Sequence, residues 1–332
     1  MRQLTKHIKV GLLFLVLFYA NTSLANILIS HEGDSVFYDE ASNHYVIKYV
    51  GINGQINEVI WTPSTNISVE VEAKYKSLKD GSIKYEYKID VDEDSKQPLA
   101  AFQFYTSLTD SFYTNKPIDW KEIIRSSYNE QELGSWINWY TTSSPVTPGN
   151  EIEGFEVKVM ALPVYSNVYV EGDTEILAFP DYGPNLEVQE YFQEKIVLKE
   201  FNGKAVNTAV PLIPISVPFN PVETYTPFHQ YILEYIEKGY VDASIATSFK
   251  NTSAAVLTAL TSNDVNSALS NLKLVKKLVE GEDENYKDKD KKDHDKSDED
   301  KPEPLIVKDL RKILKFNIKF IKKKLKGETD DD

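Results

Sequence analysis

The stretch Ile83-Lys84-Tyr85-Glu86-Tyr87-Lys88-Ile89-Asp90-Val91 decides the fold. Every odd position is apolar or aromatic and every even one is charged. A period of two, with one face greasy and the other ionic, is the pattern of a half-buried β-strand. Lys79-Asp80-Gly81-Ser82 precedes it as a turn, which pairs it with a strand over 67–75. Tyr45, Ile47 and Tyr49 alternate in the same way with His44, Val46 and Lys48. Further strands are expected at 99–108, 135–140, 152–160 and 167–170. Many short strands with turn signals between them predict an immunoglobulin-like antiparallel β-sandwich over 26–185.

C-terminal to that block the composition changes. Pro211, Pro214, Pro218, Pro221 and Pro227 recur at short intervals. Proline fixes φ and lacks a donor, so 186–226 is read as a proline-rich connector, with 188–201 open as one more strand. From 227 to 281 the period turns helical and predicts a small all-α module. Phe228, Ile232, Tyr235 and Ile236 share a face that stops at Gly239, and Ile245, Phe249, Val256 and Leu260 form a second. Asp264 caps a third helix, which ends at Gly281. Residues 282–304 are nearly all Asp, Glu and Lys, with Tyr286 the lone aromatic, and are expected to be a disordered charged linker. A basic amphipathic helix follows over 305–326, then an acidic tail over 327–332. Its stripe is Ile306, Leu310, Ile313, Leu314, Ile321 and Leu325, with Phe316, Ile318 and Phe320 lying outside it.

Arg2, Lys6 and Lys9 precede the apolar run from Val10 to Tyr19, and small residues stand at Ser23 and Ala25. This is a signal-peptide pattern over 1–25, with the mature chain starting at Asn26. The apolar run falls short of the ~20 residues that span a bilayer, and nothing later replaces it, so the chain is not an integral membrane protein. There is no cysteine, which excludes a lipid-anchor Cys, thiolate nucleophiles, thiolate zinc sites and thioether-bound haem. A formal charge of −14 repels nucleic acid. The pattern reads as a secreted bacterial protein of the extracellular space or cell envelope, without a cofactor.

Two sets of motifs resemble known modules. Tyr45 to Tyr49, Trp136 to Tyr140, Pro148-Gly149-Asn150-Glu151-Ile152-Glu153-Gly154-Phe155, Leu162-Pro163 and Phe179-Pro180 resemble an immunoglobulin-like sandwich module of uncharacterised secreted bacterial proteins. Tyr235 to Tyr240, Ala254 to Leu260 and Ala268 to Leu272 resemble the FIMAH-type helical module. The resemblance implies an extracellular accessory or interaction role and supplies no catalytic residue.

The histidines beyond the leader are His31, His44, His229 and His294, with no pair at zinc-ligand spacing. No Gly-x-Ser-x-Gly or His-Glu-x-x-His motif occurs. Trp136 and Tyr140 would share one face of a strand and form a candidate sugar-stacking platform. Trp139 would point the opposite way, into the core. Asp90, Asp92 and Asp94 are hard oxygen donors that would suit Ca²⁺, against the plainer reading of a solvated acidic turn. Asp288, Asp290, Asp293 and Asp295 fail as an EF-hand, because Asp293 stands where the loop needs Gly. Lys315, Lys319, Lys322, Lys323 and Lys324 are candidate contacts to an anionic surface, which would make the terminal helix a peripheral membrane contact. The expected arrangement is nonetheless a helix docked on 228–279 with its lysines outward, the anionic-surface contact being the lesser reading. The expected function is non-catalytic interaction outside the cell, with an unknown protein or surface polymer as partner. A carbohydrate-binding module is the alternative and a glycan-active hydrolase the second.

Overall fold

The computed structural model describes residues 26–107, 112–129, 132–174, 178–198, 203–281 and 305–328. The expected signal peptide, the charged linker with its acidic run, and residues 329–332 lie outside the described residues. The chain forms two compact units: one takes the residues up to Ile67 together with Glu171–Lys204, the other Ser68–Val170 and the residues from Ala205 on.

In the first unit, β1 (Asn26–His31), β2 (Asp34–Asp39), β3 (His44–Val50) and β4 (Ile56–Trp61) form an antiparallel meander in sequential order. One face carries a core of Val36, Ile47, Tyr49 and Trp61 packed with Val188, Phe192 and Ile196. Those last three belong to α1 (Leu186–Tyr191) and the π-helical stretch Phe192–Val197 that continues it. The strand expected over 188–201 is therefore a helix. Its apolar residues recur every four positions, and the Asn185 side chain caps it by accepting from the Glu187 amide at 2.9 Å.

The second unit is a sandwich of two antiparallel sheets. One orders β5 (Val69–Ser77), β6 (Ile83–Val91), β11 (Glu151–Val159) and β8 (Tyr113–Asn115). The other orders β13 (Lys204–Pro214), β12 (Ala161–Gly172), β7 (Leu99–Thr106), β10 (Glu132–Tyr140) and β9 (Lys121–Asn129). In β6 the odd residues Ile83 to Val91 are all buried, as their alternation requires. Tyr87 meets Phe102 and Phe104 with ring centroids 5.3 Å away, and Phe155 meets Trp139 at 5.4 Å. Two buried hydroxyls are satisfied across the core: Tyr85 donates to the Ala161 carbonyl at 2.8 Å and Tyr87 to the Ala209 carbonyl at 3.1 Å.

The proline-rich connector is corrected. Pro211 and Pro214 lie in β13, an edge strand of its sheet, where a missing N–H donor is tolerated. Pro221 opens α2 (Pro221–Glu237) behind an Asn220 cap, the place where proline suits a helix, and Pro227 sits inside the same helix. Then come α3 (Ala243–Thr261), capped by Asp242, α4 (Val265–Glu280), capped by Asp264, and α5 (Lys308–Leu325).

The fold class is thus mainly β, an antiparallel sandwich with an all-α C-terminal part. That part shares one compact unit with the sandwich. The residues thought to lie outside the stripe of α5 explain why. Ile318 and Phe320 are buried with Leu310, Ile313, Leu314 and Ile321. Phe316 meets Tyr75 of β5 edge-on at 4.9 Å. The Asn317 amide donates to the Pro163 carbonyl of β12 at 2.8 Å. The helix is broad because it packs on strands as well as on helices, not on helices alone. Among the described residues, no helix is long and apolar enough to cross a membrane.

Candidate binding surfaces

Trp136 and Tyr140 do share the outer face of β10, and Trp139 faces inward. Trp139 is fully buried, stacks on Phe102 at 5.7 Å and donates its indole N–H to Glu122 Oε1 at 2.7 Å. Trp136 is half-buried between Tyr105 and Tyr169, each ring 5.8 Å away and tilted by 60° and 50°. Gly134 makes that packing possible, since a Cβ there would stand 2.3 Å from the Tyr105 hydroxyl. Tyr140 lies four residues on, about 13 Å along the strand, with the Lys121 ammonium 5.9 Å from its ring centre. Asn138 stands between them and donates to Gln103 Oε1 at 3.3 Å, while its own Oδ1 is buried without a partner. The two aromatics are separate points on one face, not one flat platform.

The Ca²⁺ trio is not brought together. Asp90 turns to Lys88 at 3.3 Å, and Asp92 accepts from the Ser68 hydroxyl. The alternation that would align Asp90, Asp92 and Asp94 ends with β6 at Val91, and the turn beyond it re-aims the side chains. Among the described residues no group of three His, Asp or Glu side chains could hold a metal ion.

Two features escaped the sequence reading. At the contact of α2 and α3, the buried Ser253 Oγ lies 2.9 Å from His229 Nδ1 and 3.0 Å from the Tyr225 hydroxyl. Burial first, and Lys250 second, hold His229 below its ordinary pKa. Ser253 is fully buried, so the chain joins two helices and offers no attacking hydroxyl. Glu171 is the described carboxyl whose pKa burial raises, and a single such group is half of the pair a glycosidase needs.

The second is the solvent side of the first unit's sheet. Ile27 pairs with Phe37, Phe37 with Val46, and Val46 with Ile60. The register thus draws one apolar row across all four strands, opposite the face that α1 covers. Ile27 is 63% exposed and Ile60 58%. Val50 and Ile56 add a second exposed pair, and Ile52 projects beyond them. No sequence signal marked this row, because β4 alternates with apolar residues on both faces, Val59 and Trp61 inward and Ile56 and Ile60 outward.

The lysines of α5 divide. Lys324 lies on the opposite side of the helix from Lys315 and Lys319, with its ammonium 5.4 Å from the Phe320 ring centre, and leaves the proposed contact set. Lys315, Lys319, Lys322, Lys323 and Lys326 line a groove of about 420 Å³ with Lys276 and Glu280 of α4, closed by Glu328. Lys276 was missed because it belongs to a different helix.

No protein-family model and no curated protein matches the chain. A similar solved structure is an uncharacterized protein from Nocardia farcinica described as having an immunoglobulin-like fold. It is 14% identical with a TM-score of 0.25, and the match covers 34% of this chain and 92% of that one.

Proposed function

We propose that this is a secreted, non-catalytic interaction protein of the bacterial cell surface or extracellular space, and that the open sheet face of its first unit is the contact surface. The observation that carries this is the Ile27–Phe37–Val46–Ile60 row with Val50 and Ile56 beside it. Contiguous apolar surface on a soluble protein marks a partner, since leaving it wet forgoes about 25 cal/mol per Å². The chemistry fits an apolar patch on another envelope protein. The test is cross-linking in the native envelope with wild-type protein and the Ile56→Lys/Ile60→Lys variant. A discrete cross-linked species that disappears in the variant, at unchanged melting temperature, supports the reading. An identical cross-link pattern from both proteins rejects it.

Carbohydrate binding is a second reading, favoured by the unpartnered Asn138 Oδ1 beside the half-buried Trp136. Glycan binding lost in Trp136→Ala and kept in Tyr140→Phe would support it. A glycan panel with no binding at all would remove it.

A further inference from the structure

We infer that the groove between α4 and α5 binds a flexible polymer carrying repeated phosphate groups. The inference is independent of the sheet-face reading. Six lysines and two glutamates line the groove in a chain whose formal charge is −14. Both glutamates are already committed: Glu280 pairs with Lys276 at 3.2 Å and Glu328 with Lys326 at 3.2 Å. Among the described residues, Lys319, Lys322 and Lys323 have no carboxylate within 4 Å. Three like charges held side by side repel one another, an arrangement relieved by a bound anion.

Geometry separates the classes of anion. Lys315, Lys319, Lys322 and Lys326 follow one edge of α5 at spacings of three and four residues, over about 16 Å. A row of that length matches a chain of anions better than one compact ion. A membrane is disfavoured because a helix lying on a bilayer buries its apolar face in lipid. Here Leu314, Ile318, Phe320 and Ile321 are already spent inside the protein. The lysines are left to act by charge alone, from within a concave groove. Their ammonium groups are compact point charges on flexible stems, which suits repeated phosphates in varied orientations.

The test is calorimetric titration of the full chain with short linear polyphosphate at about 50 and about 200 mM salt. Saturable binding that weakens with salt is expected. Lys319→Gln/Lys322→Gln/Lys323→Gln should lose about tenfold or more, while Lys324→Gln, on the other side of the helix, should match wild type. Circular dichroism checks the fold of the triple variant. If it is unfolded, Lys276→Glu carries the comparison, with weaker binding expected from across the groove. Wild-type affinity in the triple variant or in Lys276→Glu overturns the inference. Orthophosphate binding as tightly as the polymer would overturn the polymer assignment. So would anionic vesicles binding where polyphosphate does not.

Discussion

Two sheets of this protein show opposite faces to water. On β6 and β11 the outer side is an ionic lattice: Lys84 meets Glu86 at 2.7 Å and Glu156 at 2.9 Å, and Lys88 meets Glu151 at 2.5 Å. On β1 to β4 the outer side has one such pair, Lys48 with Glu58 at 2.9 Å, set among Ile27, Phe37, Val46, Val50, Ile56 and Ile60. Both sheets bury their other face, so the difference is not one of core formation. The first lattice is finished against solvent and needs nothing further. The second places apolar side chains where folding gains little from them, which is the observation behind the proposed contact surface.

The largest effect should come from ending the chain after Pro304. That removes α5 together with its buried Leu310, Ile313, Leu314, Ile318, Phe320 and Ile321, and uncovers the apolar surface they pack against. Each buried side chain of this kind is worth about 1.5–3 kcal/mol, and the six together match the ~5–15 kcal/mol that holds a whole domain. The sandwich should lose its cooperative melt. The first unit, whose core cluster draws on none of α5, should keep its own protease-resistant fragment. Calorimetry and limited proteolysis decide the matter. An unchanged sandwich melt in the truncated chain would restore α5 to a detachable module.

Next in size is a pair of single substitutions. Trp139→Ala empties a fully buried site between Phe102, Phe104 and Phe155, and should cost about 3–5 kcal/mol. Ile60→Ala, on the open face, should stay within about 0.5 kcal/mol. Urea midpoints for both variants test the contrast. A large loss at Ile60 would mean that its row is held by packing and is not a free surface.

The alternation in Ile83–Val91 made the sandwich legible, and the caps at Asp264 and the stop near Gly239 made the helices so. Pro211 and Pro221 misled because proline's meaning depends on place: an edge strand and a helix start both accept it. The split of the N-terminal block into two units was not legible either. The segment that completes the first core, Val188 to Ile196, lies far along the chain, and local periodicity cannot say where a helix docks. The lysines of α5 were visible as a group. Which of them face a groove depends on α4, and Lys324 was grouped with the rest although helical geometry sets it apart.

Alkaline pH should separate the two units by their tyrosines. Burial raises Tyr85 and Tyr87 well above 10, raises Tyr225 and Tyr235 as well, and pushes Tyr231 up to about 12. A phenol whose native pKa is raised gives stability that is complete below pH 10 and is lost as pH rises through the native value. In the first unit Tyr49 is raised by burial too, and it is the one tyrosine of that core cluster that is buried, Tyr45 and Tyr191 being only partly so. The sandwich should therefore destabilise above pH 10 more steeply than the meander. Absorbance titration of tyrosinate should show a group that ionises only as the sandwich unfolds. A single titration near pH 10 with the fold intact would contradict this.

The smallest effect concerns the ionic lattice itself. Hydrogen bonds from Lys84 hold Glu86 below its usual range, Lys88 does so for Glu151, and Lys158 with Ser82 holds Asp80 far below. For a carboxyl with a depressed native pKa, the stabilisation is present above its unfolded value near 4 and fades as pH falls through the native one. All three groups are well exposed, so solvent screening keeps each contribution small. The expected result is a modest fall in the sandwich urea midpoint between pH 6 and pH 3. That fall should shrink in Lys84→Met, which removes the partner of both Glu86 and Glu156. Lys48→Met, on the other sheet, should leave it unchanged. High salt at pH 6 should mimic part of the acid effect by screening the same pairs. If Lys84→Met leaves the pH difference intact, the lattice serves solubility alone, and the contrast between the two faces is one of contact with water only.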